Sequence, residues 1–159
     1  MRPTAVAEKC TIENVARLSD YVIQPKLNGD RVILTMTDDG VELMQRHGAP
    51  YTFMVRNRNE FASLPAGTVL DGEVFASNFH PFETVGPEPV EVRVSAAKTI
   101  CLMLGVEWLF DTPGPEFYAA GRDNLPMFEG IVAKRVGGKY RPTKKHWHES
   151  QDWLKLKWA

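Results

Sequence analysis

The residues with the most chemical potential begin at Lys26, in Gln24-Pro25-Lys26-Leu27-Asn28-Gly29-Asp30-Arg31, and four further charged signatures follow it. They are Gln45-Arg46-His47-Gly48, Leu70-Asp71-Gly72-Glu73, Glu129-Gly130-Ile131-Val132-Ala133-Lys134 and Trp153-Leu154-Lys155-Leu156-Lys157. An amine attacks phosphorus only as the free base, so a nucleophilic lysine needs desolvation or neighbouring cations to disfavour its ammonium form. Arg31, Lys155 and Lys157 are such cations, and the same charges would neutralise an α-phosphate as pyrophosphate departs. Glu73 and Glu129 are hard oxygen donors of the kind Mg²⁺ takes together with phosphates and waters. Gly29, without a Cβ, would let the backbone approach a ligand beside Lys26.

Each signature has a plainer meaning when taken singly. KxNGxR is also a solvated hairpin turn, Asp71-Gly72 a turn, and KxK a solubility feature. Their conjunction, in this order and on compatible strands, is what points to chemistry. His146 and His148 alternate, but no third ligand lies nearby in sequence, so they read as an exposed pair rather than a metal site.

The elements that must hold these residues read as α+β, with strands dominating the motif-bearing parts. Residues 21–26 and 31–37 read as strands, Asp38-Asp39-Gly40 as a tight hairpin, and residues 41–45 as the returning strand. Lys26 then lies at a strand end. A strand over residues 68–76 puts Asp71 and Glu73 on one face, and a strand over 153–158 does the same for Lys155 and Lys157. Residues 130–135 are also strand-like. Helices are expected over 12–18, 59–64 and 95–104, the last with Ser95 as N-cap and Gly105 as stop. Residues 79–89, with Pro81, Gly86, Pro87 and Pro89, read as a loop or broken strand, and 112–115 as a turn.

Composition sets the outer limits. A chain of 159 residues, 43% hydrophobic and 25% charged, is expected to fold as one globular domain. Cys10 and Cys101 form no CxxC, which argues against a disulfide framework or zinc site and fits a reducing cytoplasm. No apolar run suits a membrane span and the start is not signal-like. The net charge of −1 conceals an asymmetry: Asp71 to Glu129 holds ten acidic and three basic residues, whereas from Gly130 onward there are eight basic and two acidic. Tyr140, Trp147 and Trp153 interleave with that basic stretch, as on a polyphosphate or nucleic-acid surface.

Together these motifs resemble the adenylation domain of ATP-dependent DNA ligases, within the covalent nucleotidyltransferases that include RNA ligases and messenger-RNA capping enzymes. The resemblance runs from Arg2-Pro3-Thr4-Ala5, similar to the proline-containing segment that leads into ligases, to Lys157. It implies an antiparallel-sheet fold with a nucleotide groove between sheets. It makes Lys26 the nucleophile that takes AMP from ATP, with Asn28 where the family usually has Asp. Gln24 falls where the family reads the adenine edge, Arg46 where it contacts the ribose, and Glu73 at the ribose and metal. Glu129 serves the metal, and Lys155 and Lys157 the α-phosphate. Phe82, in Phe82-Glu83, is similar to the aromatic that stacks on the purine, and Phe110, in Phe110-Asp111, is the second candidate.

The resemblance further implies ATP and Mg²⁺ as cofactors, nicked duplex DNA as partner, with RNA as the alternative, and a monomer. Residues 1–159 read as one adenylation domain without the C-terminal oligonucleotide-binding (OB) domain into which members normally continue, so a separate DNA-binding module or protein is a further expected partner. The competing readings are an RNA ligase, a capping-type guanylyltransferase, since a flipped Gln24 amide could serve guanine, and a non-catalytic module that binds nucleic-acid ends. Joint retention of Lys26, Glu73, Glu129, Lys155 and Lys157 argues against the last, because a binding module has no use for a nucleophile with metal carboxylates.

Overall fold

The computed structural model describes residues 8–140 and 152–159. Arg2 to Ala5, Lys144, Lys145, His146, Trp147 and His148 therefore lie outside the described residues. The chain forms two compact units, one from the described parts of Met1–Asn28, Pro89–Glu91 and Phe110–Ala159, the other from Gly29–Glu88 and Val92–Leu109.

The first unit is built on a four-stranded sheet of order β1-β8-β7-β2, with β1 at Glu8–Lys9, β2 at Tyr21–Leu27, β7 at Phe128–Arg135 and β8 at Trp153–Lys157. Its pairs are antiparallel except for the two-residue β1, which runs parallel to β8. Period-two alternation divides β7 and β8 between two faces. Ile131, Ala133 and Leu156 join Cys10 and Leu18 in a core completed by Ile23, Phe117, Tyr118, Leu154 and Trp158. Helix α1, Ile12–Ala16, is capped by Thr11, whose hydroxyl accepts from the Asn14 amide at 3.2 Å. Helix α3, Pro115–Ala120, starts with proline in its first turn, where a missing N–H costs nothing.

The second unit carries a sheet of order β4-β3-β5-β6, with β3 at Asp30–Thr37, β4 at Gly40–Gln45, β5 at Val69–Phe75 and β6 at Asn78–Thr84. The expected hairpin is present, with Thr37 opposite Gly40 across Asp38-Asp39. Val32, Leu34, Leu43, Leu70, Val74 and Phe79 face a core that receives Cys101 and Ile100 from α2, Val90–Leu104. Both cysteines are free, and burial raises their thiols to about 11 for Cys10 and about 12 for Cys101.

Three expectations about elements need correction. Residues 79–89 do not open as a loop: β6 runs through Pro81, which is tolerated because β6 is an edge strand with a bulge at that point. Ser95 does not cap α2, which starts five residues earlier at Val90; burial of Val90 and Arg93 overrides the weak helix propensity of that β-branched run. The stop at Gly105 does appear, at φ +70°. Residues 59–64 give only a short 3-10 turn, Arg58–Phe61, pinned by the buried Phe61 ring. No helix of the described residues is long and apolar enough to cross a membrane.

Candidate active site

In the first unit the core takes one face of the sheet, and the chemistry-bearing residues take the other. Lys26 lies opposite Gly130, which lies opposite Lys157, so the three form one row across β2, β7 and β8. The next row is Gln24, Val132 and Lys155, and the third is Val22, Lys134 and Trp153. The period-two expectation for Lys155 and Lys157 thus places each in the same row as a predicted β2 residue, one strand removed across β7.

Strict alternation would send Glu129 to the other face from Gly130. It does not, because Leu27 pairs with Phe128 while Lys26 pairs with Gly130, leaving Glu129 as the extra residue of a β-bulge. Its carboxylate accepts a hydrogen bond from Lys26 Nζ and lies 3.8 Å from Lys157 Nζ. Gly130 is required beside it: at φ +143° a Cβ there would stand 1.9 Å from the Leu156 carbonyl oxygen.

Gln24 and Lys134 are both buried, and Lys134 Nζ donates to Gln24 Oε1 at 2.7 Å while lying 4.3 Å from the centroid of the Trp153 ring. Lys134 and Trp153 therefore do not belong to the basic, aromatic surface their sequence position suggests. A lysine holds only donors, so it can face only the oxygen of the Gln24 amide, and the amide's orientation follows.

The second unit holds Arg31, Arg46, Glu73 and Phe82. Arg31 and Glu73 are cross-strand neighbours. The guanidinium of Arg31 is held in a fork by the buried Asp71, with Nε at 3.0 Å from Oδ1 and Nη2 on Oδ2. Asp71 is thus spent on orienting Arg31 instead of standing free beside Glu73. Phe82 reaches this cluster through a second bulge: Asp71 pairs with Glu83 and Gly72 with Pro81, so Phe82 is the extra residue of β6. Its ring lies 5.6 Å from the Arg31 guanidinium and is buried. Phe110, the other candidate, is also buried, in the first unit.

Arg31, Arg46 and Glu73 line a pocket of about 360 Å³, in the size range of ligand sites. Gly29 also borders it, but its missing Cβ has another cause, since an added carbon would stand 2.2 Å from the Val74 carbonyl oxygen. Glycine there lets the chain entering β3 pack on β5.

The sequence matches no protein family model and no curated protein. Solved structures do match. The ligase domain of LigD from M. tuberculosis aligns with a TM-score of 0.66 at 20% identity, over 96% of this chain and 58% of that one. This is the adenylation-domain fold of the ATP-dependent ligases. A mycobacterial DNA ligase D complexed with ATP shows the same fold at TM-score 0.64 and 19% identity, over 96% of this chain and 58% of that one. So does an archaeal ATP-dependent RNA ligase, at 0.59 and 15%, over 97% and 47%. The chain therefore spans about half the length of these structures, 47–58%.

Proposed function

We propose that the chain performs lysine adenylylation for polynucleotide ligation. Lys26 Nζ attacks the α-phosphorus of ATP, a P–N bond forms, pyrophosphate leaves, and the amine gives up a proton. AMP then passes from Lys26 to a 5′-phosphate, and a 3′-hydroxyl displaces it to seal the strand. The observation that carries the reading is the Glu129 bulge, which turns one carboxylate toward both Lys26 and Lys157 across a residue with no side chain. Attack requires Nζ to leave Glu129 first.

Lys155 and Lys157 neutralise the α-phosphate, and Arg31 and Arg46, with Glu73, serve the sugar and phosphates. Gln24, its amide fixed by Lys134, reads the adenine edge, and Phe82 stacks on the purine. The donor chemistry fits Mg²⁺: Glu129 in the first unit and Glu73 in the second are each hard carboxylates of the kind it takes together with phosphates and waters. A bound ion would supply charge neutralisation for the α-phosphate.

Nicked duplex DNA is the substrate, with the protein acting as a cytoplasmic monomer, alone or with a separate DNA-binding partner. RNA is the second reading, favoured by the fold shared with the archaeal RNA ligase. Intact-mass measurement after incubation with ATP and Mg²⁺ tests the proposal. One AMP should add to wild type and none to Lys26→Ala, while GTP should add nothing. Equal labelling of the mutant would remove Lys26 as nucleophile.

A further inference from the structure

The pocket that holds Arg31, Arg46 and Glu73 has an aromatic wall that the nucleotide chemistry above does not use. Phe53 is 70% exposed, the one aromatic among the large apolar side chains that the described residues leave in solvent. Its ring is nevertheless held in place: it packs edge-on against Tyr51, with centroids 5.6 Å apart at 61°. Tyr51 is itself buried, and its hydroxyl donates to Asp30 Oδ2 at 2.9 Å, four residues beyond Lys26. The support continues into the backbone, where Tyr51 N donates to Leu43 O at 2.9 Å and Gln45 N to Ala49 O at 2.7 Å. These bonds set Arg46 and His47 at the tip of a closed turn on the pocket's rim.

The pocket thus offers three kinds of contact. Guanidinium and imidazole donors suit a phosphate, the Glu73 carboxylate and Gln45 amide suit hydroxyls, and Phe53 offers a flat apolar face. Arg31, Arg46 and Glu73 are the groups given above to the sugar and phosphates of ATP, so what the rim adds is the His47 imidazole and the flat face of Phe53, a pair that suits the phosphate and base of a second nucleotide. An open face on the rim stacks any base that a strand lays across it.

We infer that Phe53 is a base-stacking platform for the terminal nucleotide of the polynucleotide strand, in a rim subsite formed with His47 that borders the groups assigned to ATP and is distinct from the position of the ATP purine. The inference rests on the reading above only in taking a polynucleotide as substrate.

The test is the affinity of full-length protein for a nicked duplex with a fluorescent label and a 5′-phosphate, in DNA and RNA forms, read by anisotropy. Phe53→Ala and Phe53→Leu should each weaken binding about tenfold in at least one form, whereas Phe53→Trp should bind as well as wild type or better. Leu102→Ala, which removes another exposed apolar side chain, should bind like wild type. Unchanged affinity of Phe53→Ala for both nucleic acids would overturn the inference. So would retention by Phe53→Leu, which would mean apolar contact without stacking, or loss of the Phe53-dependent binding on adding free ATP, which would mean a mononucleotide site. AMP labelling of the same samples tests the adenylylation reading separately, since strand binding through Phe53 without any AMP added would retire that reading and keep this one.

Discussion

Glu129 accepts a hydrogen bond from Lys26 and stands 3.8 Å from Lys157 Nζ, so one carboxylate addresses both ends of a row whose middle residue, Gly130, has no side chain. The arrangement exists because a single extra residue in β7 reverses the parity of the strand at that point. In a regular strand Glu129 would point into the side of the sheet occupied by Ile131 and Leu156.

Glu129→Ala should therefore depress AMP transfer to Lys26 by more than tenfold at a fixed Mg²⁺ concentration. Glu116→Ala, an exposed carboxylate outside every motif, should leave it unchanged. Intact-mass time courses over a Mg²⁺ titration measure both, and equal losses would reduce the effect to general surface charge.

If Phe82 stacks on the purine, Phe82→Ala should weaken ATP binding by on the order of 1–3 kcal/mol. Phe110→Ala should have the smaller effect on ATP affinity in calorimetry. The reverse order would transfer the proposed stacking role to Phe110 and leave the proposal for Lys26 untouched.

Gly130→Ala should destabilise the protein by about 2 kcal/mol or more, because its Cβ would meet the Leu156 carbonyl in addition to the strain of a positive φ. Gly67→Ala separates the two causes: its φ is +91° but open space surrounds it, so only the strain remains. Urea midpoints should fall further for Gly130→Ala than for Gly67→Ala.

His80 on β6 has its Nδ1 buried without a hydrogen-bond partner, and burial lowers its pKa from 6.5, with the Glu107 charge opposing in part. The folded state then holds fewer protons than the unfolded state once pH falls below about 6.5. Stability should decline as pH drops from 7 toward the depressed folded value, by up to about 1.4 kcal/mol per pH unit. Urea unfolding of wild type and His80→Gln across pH 7.5 to 5.5 should show a shallower slope for the variant.

Much of the site's framework was legible in the residues themselves. Lys26 at a strand end, the turn at Asp38-Asp39 and the shared face of Lys155 and Lys157 follow from local pattern, which alternation and turn chemistry encode directly. The bulges at Phe82 and Glu129 were not legible, because a one-residue offset exists only relative to a partner strand far away in sequence. Lys134 misled for the same reason: a lysine after an apolar run reads as solvent-facing, and only the neighbouring Gln24 and Trp153 reveal why it is buried. Likewise Phe53 gave no sequence signal, since its significance comes from Tyr51 and Asp30 holding it at a pocket rim.

The chain leaves the first unit after Asn28, completes most of the second, and returns for β7 and β8 only after residue 127. Strand β2, which bears Lys26, is consequently made early in synthesis but has no sheet partner until about a hundred residues later, when Phe128–Arg135 emerges. By then Gly29–Glu88 and Val92–Leu109 are already complete and can collapse on their own short-range hairpins. The sheet that bears Lys26 is thus the last to close, so an arrested or prematurely terminated chain would display a folded second unit while lacking the row that joins Lys26 to Lys157.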